Sequence, residues 1–301
     1  MVRIEEGTRE LMTSIICWNN KHDEWFSGLW AVADSRVSSN AGPMTDSLQK
    51  LFVLPVNIYP HESALTTQQP SKVLSVCYGF AGSTLIGTSV KYILALCLDN
   101  VSELAYYDKY GDVSRSLEER MPSVEEIAKL AQKIARKYLL ALGTLHPNRA
   151  HCEIVIFGFC KKMSDTKVFV LRNSPERPAE ISLEERDISG GGYVILGDRK
   201  QDILKEIERK NTTCADITHW KGRAPVIALQ QIIKDSSLST IGGHVQICVA
   251  SRFISRTIYT SDIASQSLSV LGFDLLTELG QLGGFSISFN PSLRIEMRLI
   301  D

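Results

Sequence analysis

Short apolar runs separated by polar turns dominate the first eighty residues. TSIICW (13–18) and GLWAVADSRV (28–37) flank the polar stretch 19–24, which predicts an opening β-hairpin. KLFVLPV (50–56) and KVLSVCYGF (72–80) read as two further strands, and the intervening 57–71, with Pro60 and Pro70, reads as a loop. From Gly82 the period lengthens. Leu85, Val90, Ile93, Leu94 and Leu98 fall on a helical face up to Leu98. The strongest helix signal spans 124–142. Ser123 and Glu126 form a capping box behind Pro122, Gly143 marks the expected stop, and Ile127, Leu130, Ile134, Tyr138 and Leu142 form one stripe. Strand patterns return at 152–159, 167–171 and 179–184, helical ones at 201–209 and 225–234, and strand patterns again at 244–250 and 256–260. A last strand is expected at 285–290.

Strands and helices therefore come in blocks, which favours an α+β arrangement over an alternating parallel sheet. The natural packing is two antiparallel sheets face to face with a helix pair outside each, a four-layer αββα sandwich. No linker composition interrupts the chain before Ser261, so residues 13–262 form one expected domain, with an N-terminal extension or propeptide at 1–12 and a C-terminal extension at 263–301.

The 301 residues include 33 Lys+Arg and 34 Asp+Glu, a net charge of −1, so no basic excess supports nucleic-acid binding. The longest apolar run, 92–98, is far short of the ~20 residues of a membrane span, and the polar start MVRIEEGTRELM is unlike a secretory signal. Seven cysteines are odd in number and contain no CxxC; most sit in apolar runs such as SVCYGF, which points to free thiols and a cytoplasmic location. The histidines show no metal-ligand spacing, and GFAGST lacks the Lys of a phosphate-binding loop, so neither a metal nor a cofactor is expected.

Three features carry possible chemistry. Thr13 stands at the edge of the first strand, Asp34 leaves the opening hairpin in ADSR, and Lys50 opens an apolar strand sixteen residues later. Each has an ordinary reading: a β-former, a turn, an exposed strand end. Buried together, Asp34 and Lys50 would have to pair, and a lysine so placed could tune a neighbouring nucleophile.

In order along the chain, TSII, ADSRVSS, SLQKLFV, YGFAGST (78–84), SGGGY (189–193) and GGHV (242–245) resemble the proteasome β-type peptidases of the N-terminal-nucleophile hydrolase superfamily, nearest to the bacterial two-component heat-shock peptidase. The likeness runs from Thr13 to roughly Asp262. It implies the αββα sandwich, a threonine-type endopeptidase acting on peptide or unfolded-protein substrate, a homo-oligomeric ring and an ATPase unfoldase as partner. It implies Thr13 as nucleophile, with its freed α-amine exchanging the proton at a pKa near ~8. Lys50 would lower the proton affinity around Thr13, Asp34 would orient Lys50, the Gly82 N–H would face the oxyanion, and Ser189 would support the network near the amine. This chemistry needs Thr13 as the first residue, and initiation at Met12 followed by methionine removal would make it so. Two alternatives stand beside it: an inactive ring or scaffold subunit that keeps its N-terminal extension, and a non-proteolytic amidase of the same superfamily.

Overall fold

The computed structural model describes residues 13–22, 27–39, 42–60, 65–66, 68–103, 117–145, 150–174, 177–214, 222–235, 240–262, 267–287 and 292–294. The expected extension at 1–12 lies outside them. Through the first half run β1 (Ser14–Asn20), β2 (Gly28–Ala33), β3 (Val37–Ser39), β4 (Gly42–Thr45), β5 (Leu51–Tyr59), β6 (Lys72–Gly82), α1 (Thr84–Asp99), β7 (Val101–Ser102), α2 (Leu117–Arg120) and α3 (Val124–Leu145). Next come β8 (Cys152–Cys160), β9 (Asp165–Ser174), β10 (Arg177–Glu185), β11 (Tyr193–Gly197), α4 (Lys200–Cys214), α5 (Ala224–Asp235), β12 (Gln246–Ala250) and β13 (Ser255–Asp262). Short strands follow: β14 (Ser267–Val270), β15 (Phe273–Asp274), β16 (Gln281–Leu282), β17 (Phe285–Ser286) and β18 (Ser292–Arg294).

The expected α+β class holds. One sheet has the order β11-β1-β2-β12-β13-β14-β15, with β18 on β13, and the other β10-β9-β8-β6-β5-β7. The opening hairpin is there, with Trp18 opposite Trp30 and their rings 5.8 Å apart. The strand expected to run on to Val37 stops at Ala33, because the Asp34 carboxylate turns back onto nearby backbone amides. Pro55 is tolerated within β5 because β7 pairs only with Ile58 and Tyr59, which leaves β5 an edge strand at that point. The capping box forms reciprocally: the Ser123 N–H donates to Glu126 Oε2 at 2.7 Å, and the Glu126 N–H to Ser123 Oγ at 3.1 Å. The helix does not end at Gly143 but runs through it to Leu145. The tail strand expected at 285–290 is only the two-residue β17 within the described residues.

Three apolar cores explain the packing. The first joins β5, β6, β8 and β9 to α1 and α3, with Tyr78, Phe80, Val90, Leu94, Ala131 and Leu139 buried together. The second contains residues of both sheets, among them Ile15, Ala31, Leu51, Cys77, Val155 and Cys248. The third joins β1, β2 and β12 to α4 and α5 through Trp30, Ile203, Ile207 and Leu229. No helix of the described residues is long and apolar enough to cross a membrane.

Helix α1 approaches its sheet closely at Gly87. A Cβ there would enter the Phe80 ring, which is itself buried, and the Tyr78 hydroxyl donates to the Gly87 carbonyl at 2.8 Å. Helix propensity favours alanine over glycine by ~1 kcal/mol, whereas overpacking costs about 1–3 kcal/mol. Gly87→Ala is expected to destabilise the fold by about 1 kcal/mol in urea unfolding, the overpacking cost less the propensity gain; a stabilised variant would mean that Phe80 has room to move.

Candidate functional site

One end of the molecule gathers the candidate chemistry. Thr13 directly precedes β1, which Ser14 opens, Asp34 follows β2, Lys50 precedes β5, and Gly197 closes β11. The register puts Ile15 opposite Ala33 and Ser14 opposite Gly197, and Ala33 also pairs with Gln246, so these positions share one end of the larger sheet.

Asp34 and Lys50 are both fully buried. Lys50 Nζ donates to Asp34 Oδ1 at 3.0 Å and to the Arg36 carbonyl at 2.6 Å. The same Oδ1 accepts the Ser14 N–H at 3.0 Å, while Oδ2 accepts the N–H groups of Arg36 and Gly242, each at 3.2 Å. Asp34 is thus an acceptor saturated by four donors, which is how an ionised carboxylate survives burial. Burial pushes the Lys50 ammonium below the ordinary lysine range, and the Asp34 charge opposes that shift.

The backbone around this pair is held from several sides. Gln246 Nε2 donates to the Asp34 and Leu48 carbonyls at 3.0 and 2.8 Å, and its Oε1 accepts the Lys50 and Leu51 N–H groups at 2.8 and 3.3 Å. The Gly242 carbonyl accepts the Ser35 and Arg36 amides. Arg36 forms a two-armed pair with Asp46, at 2.7 and 3.1 Å. Gly243 sits at φ +76, where a Cβ would press on the Asp46 carbonyl and Ser35 Oγ.

Thr13, Asp34 and Lys50 are brought together, Thr13 being the buried residue directly before the Ser14 amide that Asp34 binds. Gly82 closes β6 on the other sheet at φ +93, opposite Cys152 and just before Ser83, the N-cap of α1. Ser189 is elsewhere. Its exposed turn leads into Tyr193, which pairs with Trp18 at the opposite end of β1, about 13 Å of strand from Ser14. The supporting role expected of Ser189 is corrected on that geometry.

At the Thr13 end of β11 stands Asp198 instead, a nearly buried residue. Its N–H donates to the Thr13 carbonyl at 3.1 Å and its carbonyl accepts from Ser14 Oγ at 3.4 Å. Gly197, at φ +88, lies so close to the Thr13 carbonyl that no side chain fits. Glu153 on β8 anchors this corner. It accepts the Gly197 N–H at 2.6 Å and pairs with Lys200 and Arg172, both at 2.8 Å. The signal for Glu153 was present in the sequence: a single acid inside CEIVIFGF must find partners if that strand is buried.

No family model and no curated protein matches the chain. Solved structures do. Anbu (ancestral beta-subunit) from Yersinia bercovieri matches at 14% identity and a TM-score of 0.49, over 81% of this chain and 87% of that one. Anbu from Hyphomicrobium sp. strain MC1 matches at 10% identity and a TM-score of 0.48, over 81% and 87%. A Gly-1 mutant of the Hyphomicrobium protein matches at 12% identity and a TM-score of 0.49, over 81% and 86%. Anbu is a proteasome-like but distinct family. These findings overturn the likeness to the proteasome β-type and heat-shock peptidases drawn from short motifs, and at such identities they assign no activity.

Replacing Lys50 with methionine keeps its bulk but leaves the Asp34 carboxylate buried without its cation, and a loss of about 3–5 kcal/mol is expected at neutral pH. The pH dependence has a definite sign. The folded Lys50 binds its proton less tightly than the unfolded one, so between the lowered value and the ordinary lysine value the unfolded chain holds more protons. Stability then rises with pH across that window. Urea unfolding at neutral pH and near pH 9 should show the unmodified protein gaining on Lys50→Met as pH rises; a shrinking gap would reverse the assignment of burial as the dominant cause.

Proposed function

We propose that this protein is a hydrolase of amide bonds in peptides, with Thr13 as an N-terminal nucleophile served by Lys50 and Asp34, on a four-layer αββα scaffold. The single observation that carries the reading is the fully buried Lys50–Asp34 pair one residue from Thr13. Buried ion pairs are weak stabilisers compared with apolar residues of the same size, so a pair set beside a hydroxyl is better accounted for by chemistry. The three apolar cores support the layered scaffold.

In the proposed reaction, Thr13 Oγ attacks the substrate carbonyl carbon while its proton passes to the Thr13 α-amine. An α-amine with a pKa near ~8 exchanges protons at neutral pH without a histidine. The Lys50 ammonium favours the developing alkoxide, and Asp34 holds that ammonium in place. The negative oxygen of the tetrahedral intermediate takes the Gly82 N–H. Collapse breaks the C–N bond, the leaving amine departs with the proton, and an ester remains on Thr13. Water then attacks the ester by the same proton path and restores the hydroxyl. The Asp198 main chain positions Thr13 through its carbonyl, a contact that leaves this chemistry untouched.

The test uses protein initiated at Met12, so that methionine removal exposes Thr13, beside protein initiated at Met1. Incubation with a β-lactone or peptide boronate, read by intact mass, is expected to give one adduct on the Thr13-first protein and none on the longer one. Thr13→Ala should abolish the adduct, and Lys50→Ala should slow its formation by at least about 100-fold. Absence of an adduct on a Thr13-first protein of intact fold would replace this reading with the inactive scaffold.

A further inference from the structure

Helix α1 is apolar on more than the face it buries. Ile86, Val90, Leu94 and Leu98 point into the first core. On the opposite side, Leu85, Tyr92 and Leu96 are 63, 65 and 62% exposed, and Ile93 beside them is 38% exposed. At 100° per residue, Tyr92, Leu85, Leu96, Ser89 and Ile93 occupy one continuous arc about 100° wide. That arc holds no charge: Lys91 lies outside it with its ammonium over the Phe52 and Tyr92 rings, and Asp99 closes the helix. A helix that is apolar all round is normally covered on both sides. The four large side chains expose on the order of 500 Å² in a single patch, at the upper end of what lone soluble chains show.

We propose that a second copy of this chain covers this face, docking its own α1 antiparallel across a two-fold axis. The ridge along the arc is Leu85, Ser89, Tyr92 and Leu96, with spacings of four, three and four residues, and such a row reads the same in both directions. About a centre between Val90 and Lys91, Leu85 meets Leu96 of the other copy, and the small Ser89 meets the large Tyr92. A two-fold contact requires the same patch to be complementary to itself, and this row is. Large-against-small pairing at the centre lets the helices approach at the 8–10 Å of packed pairs. The row itself carries no charge, so no like charges meet along it, and the Lys91 ammonium at its border is engaged by the Phe52 and Tyr92 rings. A patch of this size on each copy, with the rim around it, approaches the ~800 Å² per partner of a standard interface. This inference is independent of the hydrolase reading, because the site lies at Thr13 and the measurement is of mass.

Sedimentation of the full chain at about 1 and about 100 µM reads the association directly. The expected species has an even number of copies. Leu96→Glu, at an exposed position and checked for fold by circular dichroism, should halve the mass or weaken association by at least about 30-fold. Leu85→Lys should do the same. The double variant Leu85→Lys/Leu96→Glu should associate again, because each new charge then faces its opposite across the axis. A chain that stays monomeric at the higher concentration, or Leu96→Glu with unchanged mass, would overturn the proposal. Failure of the double variant to recover would overturn the antiparallel register.

Discussion

The structure turns on a charge that has been taken out of water. Asp34 and Lys50 have no exposed surface, and their attraction cannot be assumed to offset what their burial costs. What makes the burial tolerable is the supply of donors: Lys50 Nζ and the Ser14 amide on one carboxylate oxygen, the Arg36 and Gly242 amides on the other. Those donors come from four separate stretches of chain. Each must end or bend where it does, so the pair dictates the end of β2, the start of β5 and the course of the chain from Ile241 to Gly243.

The pair also crosses between the sheets, for Asp34 follows a strand of the larger sheet and Lys50 precedes one of the smaller. Further polar ties make the same crossing. Gln246 of β12 accepts the Lys50 and Leu51 amides, and Glu153 of β8 accepts the Gly197 amide from β11. The sheets also meet at Arg172 with the Ile195 carbonyl and Ser255 with the Ser75 carbonyl, and through apolar side chains such as Ile15, Leu51 and Val155, which are non-directional and tolerate small slides. Hydrogen bonds do not. The end that carries Thr13 is therefore held between the sheets by directional bonds as well as by apolar contact.

Much of this was legible in the sequence because it is local. The capping box at Ser123 and Glu126, the hairpin of β1 and β2, and the apolar faces of α1 and α3 follow from spacing alone. Asp34 and Lys50 were legible as a conditional: if buried, then paired. Ser189 was misplaced because a glycine-rich string has no address until the strand beside it is in register. Once Trp18 pairs with Tyr193, the residue at the Thr13 end of β11 must be Asp198. The family likeness failed in a related way, since short turn motifs in order report a fold's punctuation and say little about descent. The stop expected at Gly143 failed because packing and ladder bonds outweigh a single residue's preference.

The contacts around Thr13 are consistent with a residue positioned for reaction. Asp198 holds its carbonyl, Gly197 lies against that carbonyl with no room for a side chain, and Asp34 holds the amide that follows. These are the parts of a threonine that nucleophilic attack and proton exchange do not consume. On the proposed function, fixing that peptide group sets the course of the chain at Thr13, beside the buried Lys50–Asp34 pair. A strand held only for stability would need none of the inter-sheet ties, since the apolar core below it already buries Ile15 and Cys17. On the proposed function, the gathering of the Asp34–Lys50, Gln246 and Glu153 contacts at the Thr13 end of the sheets serves to preorganise that end.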